Sequence, residues 1–331
     1  MTNKLSVIIP IYNAEKYILN LCQNILNQTY QNYIVYLIND GSTDASSLII
    51  DKVVSKDNRF KLTEKTNGGP SSARNVGIDM AFEDNSNYIL FIDSDDYIDV
   101  DYFEKMIDLI ERNSVDIVFA SHYFNDNPKR NCIEKDSILN SFDSLCMILD
   151  DRIITSQSHH KIFRKELWKE IRFPLNMFFL EDTATIYKTI IKSEKCLISN
   201  YCGYHYNVSN SLSITKKELS NKYIISGWRS LYSIVSNDFD RYSGKEIKIL
   251  KQKAKSLFMD NFLELYPRIT QPSPEEKLEI NFYFNKCVKE HYIFSYKCLN
   301  FNQRIKKIMF MLFPHLYHFL FRLRLVLLRS K

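Results

Sequence analysis

The chain has 331 residues, of which 45% are hydrophobic and 25% are charged; it can bury a sizeable core, and the composition excludes a disordered protein. The net charge of +5 is concentrated at one end, because residues 303–331 hold seven of the 44 basic residues and none of the 39 acidic ones. The rest of the chain is slightly acidic. This argues against a nucleic-acid-binding protein, which needs a basic face on its folded domain.

Seven cysteines form no Cys-x-x-Cys pair and leave one over. They predict neither a disulfide framework nor a zinc ribbon, and they indicate a reducing compartment. The short run LSVII near the N-terminus is too short for the core of a signal peptide, and no stretch reaches the ~18 uninterrupted apolar residues of a membrane span. We therefore expect a cytoplasmic protein.

Short apolar runs alternate with helical patterns over the first hundred residues. Runs rich in β-branched and aromatic residues predict strands at 5–9, 33–38, 60–64 and 88–92, and the segments between them predict helices at 14–27, 44–55 and 72–83. Strands that alternate with helices and are continuously apolar are typical of a parallel sheet covered on both faces. The fold class is therefore α/β, and ligands are expected at the carboxyl ends of the strands.

Polar residues follow each of these strands. After the first, Pro10 is expected to end the strand, and after the second, Gly41 permits a positive φ in a turn before the next helix. After the third, a glycine pair leads into a helix with Arg74 in its first turn, where backbone amides and the guanidinium could face an anion. Each of these stretches taken alone is most often an ordinary turn or helix start.

The loop after the fourth strand is the most informative. Asp93, Asp95 and Asp96 are crowded together, and such carboxylates cost free energy unless a cation or hydrogen-bond donors neutralise them. Hard oxygen ligands select Mg²⁺ or Mn²⁺. The sequence therefore predicts a divalent cation here that holds a diphosphate.

The ordered motifs VIIPIYNAEKYI, INDGSTD, NGGPSSARNVGID and FIDSDD resemble the first hundred residues of the inverting family 2 glycosyltransferases with the GT-A fold, common in bacterial polysaccharide synthesis. The resemblance is strong over residues 4–100, looser to about 215, and then fades. It implies a GT-A-type, Rossmann-like, mostly parallel sheet with helices on both faces. It also implies a D-x-D motif at Asp93-Ser94-Asp95, with Asp95 on the metal and Asp93 near the ribose or the metal. Asp96 extends the motif and leaves open which carboxylate binds the ion.

The same resemblance implies a nucleotide site at the other strand ends. Asp40 would recognise the base, Pro10 and Tyr12 would belong to the nucleoside pocket, and Arg74 would lie near the diphosphate. Uridine is the usual base in this family, so the expected donor is a UDP-sugar.

An inverting transfer needs a carboxylate that takes the proton of the acceptor hydroxyl. Glu181-Asp182 resembles the Glu-Asp pair that family members carry at the start of a helix, with Asp182 as the base and Glu181 as a support or acceptor contact. The alternative is an acidic helix N-terminus stabilised by the macrodipole.

Several histidines are further candidates. His205 precedes residues 209–213, which resemble the segment that closes over the diphosphate in relatives. His205 could complete the metal shell, although a histidine between tyrosines is more often a core residue. A metal site at His159-His160 is not expected because no carboxylate lies nearby in sequence. We expect this stretch to form a wall of the acceptor cleft, with Lys161 and Arg164 solvated or contacting phosphate.

The remainder of the chain predicts two further regions. Residues 1–215 are the expected nucleotide-sugar-binding and catalytic domain, 216–300 a helical region, and 301–331 a basic, aromatic-rich amphipathic tail. Such a tail suits a bilayer surface with anionic lipids, at the inner face of the plasma membrane, although it could also be a terminal helix that packs on the core.

The resulting hypothesis is a metal-dependent inverting glycosyltransferase with a saccharide or lipid-linked acceptor. A sugar nucleotidyltransferase is the first alternative, but it would carry a glycine-rich, lysine-bearing signature after the first strand, and PIYNAEKYI has none. A non-catalytic sugar-binding module is the second. The retention of Asp40, Asp93, Asp95 and Asp182 argues against a degenerate site.

Overall fold

The structure is a computed structural model that describes residues 4–124, 127–128, 133–150, 156–207 and 219–289. The strands are β1 Leu5–Ile11, β2 Tyr33–Asn39, β3 Phe60–Glu64, β4 Tyr88–Phe91, β5 Tyr97–Ile98, β6 Ile117–Phe124, β7 Asn127–Pro128, β8 Ser137–Asn140, β9 Lys161–Arg164 and β10 Lys195–Tyr206. The helices are α1 Ile18–Leu26, α2 Ser46–Val54, α3 Pro70–Glu83, α4 Tyr102–Arg112, α5 Ser141–Leu149, α6 Thr183–Lys192, α7 Asn221–Val235, α8 Gly244–Leu265 and α9 Pro274–Lys289. The predicted strands and helices of the first hundred residues are confirmed, with ends that differ by a few residues.

The described strands form one sheet in the order β3-β2-β1-β4-β9-β6-β10-β5, with β7 beside β6 and β8 beside β10. The half that the sequence predicted, β3-β2-β1-β4, is parallel throughout. The other half is mixed, because β9 runs antiparallel to both β4 and β6. The α/β class is thus confirmed. The predicted parallel arrangement holds for the half of the sheet that carries the predicted nucleotide site.

The prediction that Pro10 ends the first strand is wrong. β1 continues through Pro10, which pairs with Ile38 of β2. Successive residues of a strand direct their backbone groups to opposite neighbouring strands, so residues two apart face the same one. The carbonyl of Ile8 accepts a hydrogen bond from Ile92, so Pro10 faces the same side, beyond the last residue pair with β4. Its missing N–H therefore breaks no sheet hydrogen bond.

The core explains why the central strands are apolar at nearly every position. β1, β2 and β4 are buried almost end to end, as expected for strands with packed layers on both faces. Helix α4 is amphipathic and buries Tyr102, Phe103, Met106 and Ile110 on one side. Burial of each such large apolar side chain contributes about 1.5 to 3 kcal/mol to stability. These contacts hold the strand ends that carry the polar loops.

The described residues form two compact units, one within Met1–Leu175 and Thr185–Lys216, the other within Asn176–Ala184 and Lys217–Lys331. In the second unit α7 packs with α8 and α9, and Trp228 is fully buried close to Phe262 and Tyr283. The short segment 176–184 was expected in the catalytic domain, and here it belongs with the C-terminal helices.

The predicted amphipathic tail at 301–331 and the predicted closing segment at 209–213 lie outside the described residues. Within the described part, no helix combines the length and the apolar character needed to cross a membrane. No disulfide joins the cysteines of the described part of the chain.

Candidate active site

The aspartate-rich loop lies where β4 ends. In this loop the Asp96 backbone N–H donates a 3.1 Å hydrogen bond to the Asp93 carbonyl, and β5 follows directly. β4 lies between β1 and β9, so the loop is at the carboxyl edge of the middle of the sheet. Open α/β sheets bind their ligands at this edge.

Asp93 contacts two basic side chains from distant parts of the chain. Arg74 Nη2 lies 3.1 Å from Asp93 Oδ1, and His159 Nδ1 lies 3.2 Å from Oδ2. Arg74 is buried near the start of α3 and packs over the ring of Phe173. Burial alone would raise the pKa of Asp93, but the contact with His159 and the charge of Arg74 outweigh it and hold the pKa well below its usual range. The carboxylate is therefore ionised.

Asp96 has a different environment. It is buried, and its two oxygens accept hydrogen bonds from the Tyr204 hydroxyl (2.6 Å) and the Asn207 backbone N–H (2.8 Å). Burial, followed by the charges of Asp93 and Asp95, raises the pKa of Asp96 well above its usual range. Asp96 thus connects the aspartate loop to the end of β10. The other three residues of the loop, Asp93, Ser94 and Asp95, are partly exposed.

The donor atoms at this loop fit a divalent cation. One ligand atom each from Asp93, Asp96 and His159 lie within 4.8 Å of one another. Two carboxylates and an imidazole suit Mn²⁺, and the carboxylates suit Mg²⁺. Asp95 comes from the same loop and is more exposed than Asp96.

His159 is the site residue that sequence reasoning missed. A carboxylate partner was not expected because none lies nearby in sequence, yet the fold brings Asp93 against its ring. The His159 ring also stacks on Tyr204 and Tyr206, with centroids 5.0 and 5.3 Å apart. An isolated bridge between His159 and Phe91 places it beside the end of β4. Local sequence carries no signal for this pairing, which depends on the insertion of β9 next to β4.

Behind His159 lies a buried basic cluster. His122 and His160 stack with centroids 4.5 Å apart, and Lys161 Nζ lies 3.0 Å from His160 Nε2. Burial and neighbouring basic groups lower the pKa of His122 to about 3, and burial and Lys161 lower the pKa of His160 well below its usual value. Both imidazoles are therefore neutral.

The expectation that Lys161 is solvated or contacts phosphate is wrong. Its side chain is fully buried, because Lys161 begins β9, which lies between β4 and β6 in the middle of the sheet. Arg164 is partly exposed but pairs with Tyr88 at the start of β4, the end opposite to the aspartate loop. There its guanidinium donates to the Val115 carbonyl and contacts Glu111.

Asp40 lies at the end of β2 and is buried. Its carboxylate accepts hydrogen bonds from the backbone N–H groups of Gly68 (2.9 Å) and Gly69 (2.7 Å) and from Lys65 Nζ (2.5 Å). The backbone amides that were expected to face a bound anion thus donate to Asp40 of the same chain. The predicted positive φ of Gly41 is confirmed, at 71°. Lys65 is a second residue that the sequence did not single out.

The first loop carries Pro10 and Tyr12. Tyr12 is 52% exposed, so its ring is available to a ligand. The next residue, Asn13, has a left-handed φ of 50° and accepts a 2.8 Å hydrogen bond from the Thr43 backbone N–H. Its own N–H donates to Ser42 Oγ (3.1 Å). The loops after β1 and β2 are therefore tied together, which places Tyr12 beside the D-G-S-T-D turn.

His205 is engaged elsewhere in the described structure. Its ring lies between Tyr97 and Tyr123, with centroids 4.2 and 4.8 Å away, and these three residues are cross-strand neighbours on β5, β10 and β6. Its Nε2 lies 2.8 Å from Asp99 Oδ1. The metal-ligand role of His205 stays a prediction, and it would require the ring to exchange Asp99 for the ion.

Glu181 and Asp182 lie in the second unit, directly before α6. Both are partly exposed, and they follow Leu180, which has a left-handed φ of 59°. Both hypotheses raised by the sequence, a helix N-terminal pair and a catalytic pair, place these carboxylates at a helix start, so the position does not distinguish them and the catalytic role stays a prediction.

Comparisons with known proteins agree with this architecture. The family model "Glycosyl transferase family 2" matches residues 6–172. The glycosyltransferase GlyG of Streptococcus pneumoniae is 31% identical over 66% of this chain and 76% of GlyG. The minor teichoic acid biosynthesis protein GgaB of Bacillus subtilis is 31% identical over 70% of this chain, which spans only 27% of GgaB.

Solved structures show the same fold. The structure of S. aureus TarS 1-349 in complex with UDP-GlcNAc superposes with a TM-score of 0.70 and 21% identity, covering 88% of this chain and 81% of that one. At this identity the likeness establishes the fold alone. Together with the family match, it identifies the chain as a GT-A-fold member of glycosyl transferase family 2.

Proposed function

We propose that this glycosyltransferase moves a sugar from a UDP-sugar to a hydroxyl of a saccharide acceptor, with inversion, in the synthesis of a bacterial capsule, lipopolysaccharide or other cell-surface polysaccharide. The observation that carries the proposal is the aspartate loop, with ionised Asp93 held by Arg74 and His159 at the ligand-binding edge of the sheet. The TarS complex with UDP-GlcNAc supports a uridine donor, and the name of GgaB supports a cell-wall polymer as the product.

The nucleotide binds at the strand ends of the first unit in this proposal. Exposed Tyr12 and neighbouring Pro10 line the nucleoside pocket, and Asp40 recognises the base. Arg74 and Ser94 lie along the diphosphate path. Because Asp40 already accepts three hydrogen bonds, only a remaining lone pair of its carboxylate can meet the base.

Asp93, Asp95 and Asp96 with His159 would hold Mg²⁺ or Mn²⁺, which supplies positive charge to the leaving diphosphate. The chain's own residues do the rest. Arg74 keeps Asp93 ionised and oriented, and Asp96 keeps the loop attached to β10 through Tyr204. Asp182 accepts the proton of the acceptor hydroxyl. At the same time the hydroxyl oxygen forms a bond to C1 of the donor sugar, and the bond from C1 to the diphosphate oxygen breaks. Glu181 supports Asp182 or contacts the acceptor.

We also propose that the protein works at the inner face of the plasma membrane. This rests on the composition of residues 303–331, which combine seven basic residues with an aromatic-rich, acid-free pattern. A lipid-linked saccharide acceptor would be presented at the same surface.

The test is calorimetric binding of UDP with and without Mn²⁺ to the wild-type protein, Asp95→Ala and Asp182→Asn. We expect Mn²⁺-dependent binding that Asp95→Ala weakens at least tenfold, about 1.4 kcal/mol, and Asp182→Asn leaves intact. UDP release from donor sugars should fall at least 100-fold in Asp182→Asn, the range expected for loss of a general base. Absence of UDP binding with any divalent metal would refute the uridine donor, and full turnover in Asp182→Asn would refute the base.

A further inference from the structure

The segment that carries Glu181 and Asp182 is attached to one face of α7. The Phe178 backbone N–H donates a 2.6 Å hydrogen bond to Ser226 Oγ, and Ser230 Oγ donates a 2.9 Å hydrogen bond to the Phe179 carbonyl. All of these residues belong to the second unit. Phe178 and Phe179 are thus bound by serines one helical turn apart, and only Leu180 separates them from the Glu-Asp pair.

Gly227 lies between these serines, at the point of closest approach. A Cβ built on Gly227 would lie 2.7 Å from Phe179 Cδ1 and 3.6 Å from Leu180 Cδ1. Ordinary carbon contacts are about 3.5 to 4 Å, so any side chain here would require the edge of the Phe179 ring to shift by most of an ångström. Glycine in a helix interior is unfavourable relative to alanine. Gly227 is buried, and its missing side chain lets the Phe179 ring lie directly on the helix.

Arg229 fastens the beginning of the segment from the same helix. Its Nη1 donates to the Asn176 carbonyl (3.0 Å), and its Nη2 is paired with Glu279 of α9 at 2.8 and 3.0 Å. At the far end Ala184 N–H bonds the Leu180 carbonyl (3.1 Å). Asp182 lies between these attachments.

We propose that Ser226, Gly227 and Ser230 are positioning residues for the catalytic base, acting through Phe178 and Phe179 on the placement of Asp182. The inference rests on the proposed role of Asp182. A misplacement of a reacting group by about 1 Å can cost about 100-fold in rate. The shift that a methyl group on Gly227 would impose on the ring of Phe179, three residues before Asp182, is of that size.

The experiment compares Gly227→Ala with Gly244→Ala, a matched control at the first position of α8, where an added Cβ meets nothing within 4 Å. The assay is Mn²⁺-dependent UDP release from whichever of UDP-GlcNAc, UDP-glucose and UDP-galactose the wild-type protein turns over fastest. Gly227→Ala should lower kcat about 10- to 100-fold. Its UDP Kd should stay within about twofold of wild type, since none of the proposed nucleotide contacts is on this segment. Gly244→Ala should match wild type.

A second arm separates positioning from a general structural effect. In an Asp182→Asn background, Gly227→Ala should change the residual kcat less than about twofold, because a residue that acts only through the base has no effect once the base is gone. An equal fall in both backgrounds, or no fall in the wild-type background, overturns the proposal. The double variant Ser226→Ala/Ser230→Ala removes both hydrogen bonds without a clash. It should show the same fall in kcat in the wild-type background and none in the Asp182→Asn background, and it replaces Gly227→Ala if that variant does not fold. Full activity of Asp182→Asn alone would instead refute the base assignment.

Discussion

Tyr204 donates a 2.6 Å hydrogen bond to Asp96, a residue 108 positions earlier in the chain. Both side chains are buried, and the bond ties the aspartate loop to the C-terminal end of β10, just before Asn207. A buried carboxylate that loses a donor keeps its desolvation cost without the compensating bond. The fourth aspartate-loop position, Asp96, thus has a structural task that the D-x-D pattern does not describe.

We therefore expect Tyr204→Phe to lower the free energy of unfolding by about 2 to 3 kcal/mol, because the buried Asp96 carboxyl would lose one of its two hydrogen-bond donors. Tyr33→Phe is the matched control, since the Tyr33 hydroxyl is also buried but donates to a neutral carbonyl, that of Ile25, at 3.0 Å. It should cost about 1 kcal/mol. Urea unfolding measures both. Equal losses would show that Asp96 does not depend on Tyr204.

His159 and His205 both stack on tyrosine rings, so the metal shell can be tested by His→Phe changes that keep an aromatic ring in place. His159→Phe keeps an aromatic ring against Tyr204 and Tyr206 but removes the nitrogen 3.2 Å from Asp93. We expect it to weaken Mn²⁺-dependent UDP binding about tenfold, equivalent to about 1.4 kcal/mol. Calorimetric titration with and without Mn²⁺ measures the change, and an unchanged Kd would remove His159 from the site.

His205→Phe is the counterpart of that experiment. The ring would still stack between Tyr97 and Tyr123, and the lost contact is the one to Asp99. Because the described partner of His205 is Asp99, we expect the Mn²⁺-dependent Kd of UDP to change less than about threefold, under 0.7 kcal/mol. A loss of tenfold or more would instead establish His205 as a metal ligand.

Asp40→Asn should destabilise the protein by about 2 to 3 kcal/mol, because an amide nitrogen would face a backbone N–H or the Lys65 ammonium where a carboxylate oxygen now accepts. Asp44→Asn is the control, since Asp44 also accepts two backbone N–H bonds, from Glu15 and Ser46, but is more exposed. Water can replace those bonds, so we expect a loss of less than 1 kcal/mol. Chemical denaturation measures the free energy of unfolding of both variants. Equal losses would show that the hydrogen bonds of Asp40 can be replaced as easily as those of Asp44.

Asp84→Asn tests a pH dependence. Burial opposes ionisation of Asp84, but the hydrogen bond and charge of Lys4, 2.6 Å away, lower its pKa. A carboxyl whose folded-state pKa is depressed contributes stability that is complete well above its unfolded-state value and is lost as the pH falls through the folded-state value. Asp84→Asn should therefore cost about 1 kcal/mol at pH 7, and the difference should shrink below about pH 4.

The control for that prediction is Asp108→Asn, which breaks the exposed pair with Arg112 and should cost close to nothing at either pH. Urea unfolding at pH 7 and at pH 3.5 compares the variants with wild type. A pH-independent loss for Asp84→Asn would mean that shape, and not charge, accounts for the role of Asp84.

The sequence by itself determined the alternation of strands and helices over residues 5–91 and the polar loops at the strand ends, because periodicity and turn chemistry are local properties. It also identified the family through motifs that occupy those loops. Only the tertiary structure decided which groups meet: His159 with Asp93, Tyr204 with Asp96, and the Gly68 and Gly69 amides with Asp40. The burial of Lys161 and the hydrogen bond that attaches the segment with Asp182 to α7 are likewise visible only in the tertiary structure. These contacts join residues far apart in the chain, and their existence depends on strand order and helix packing, which no local pattern encodes.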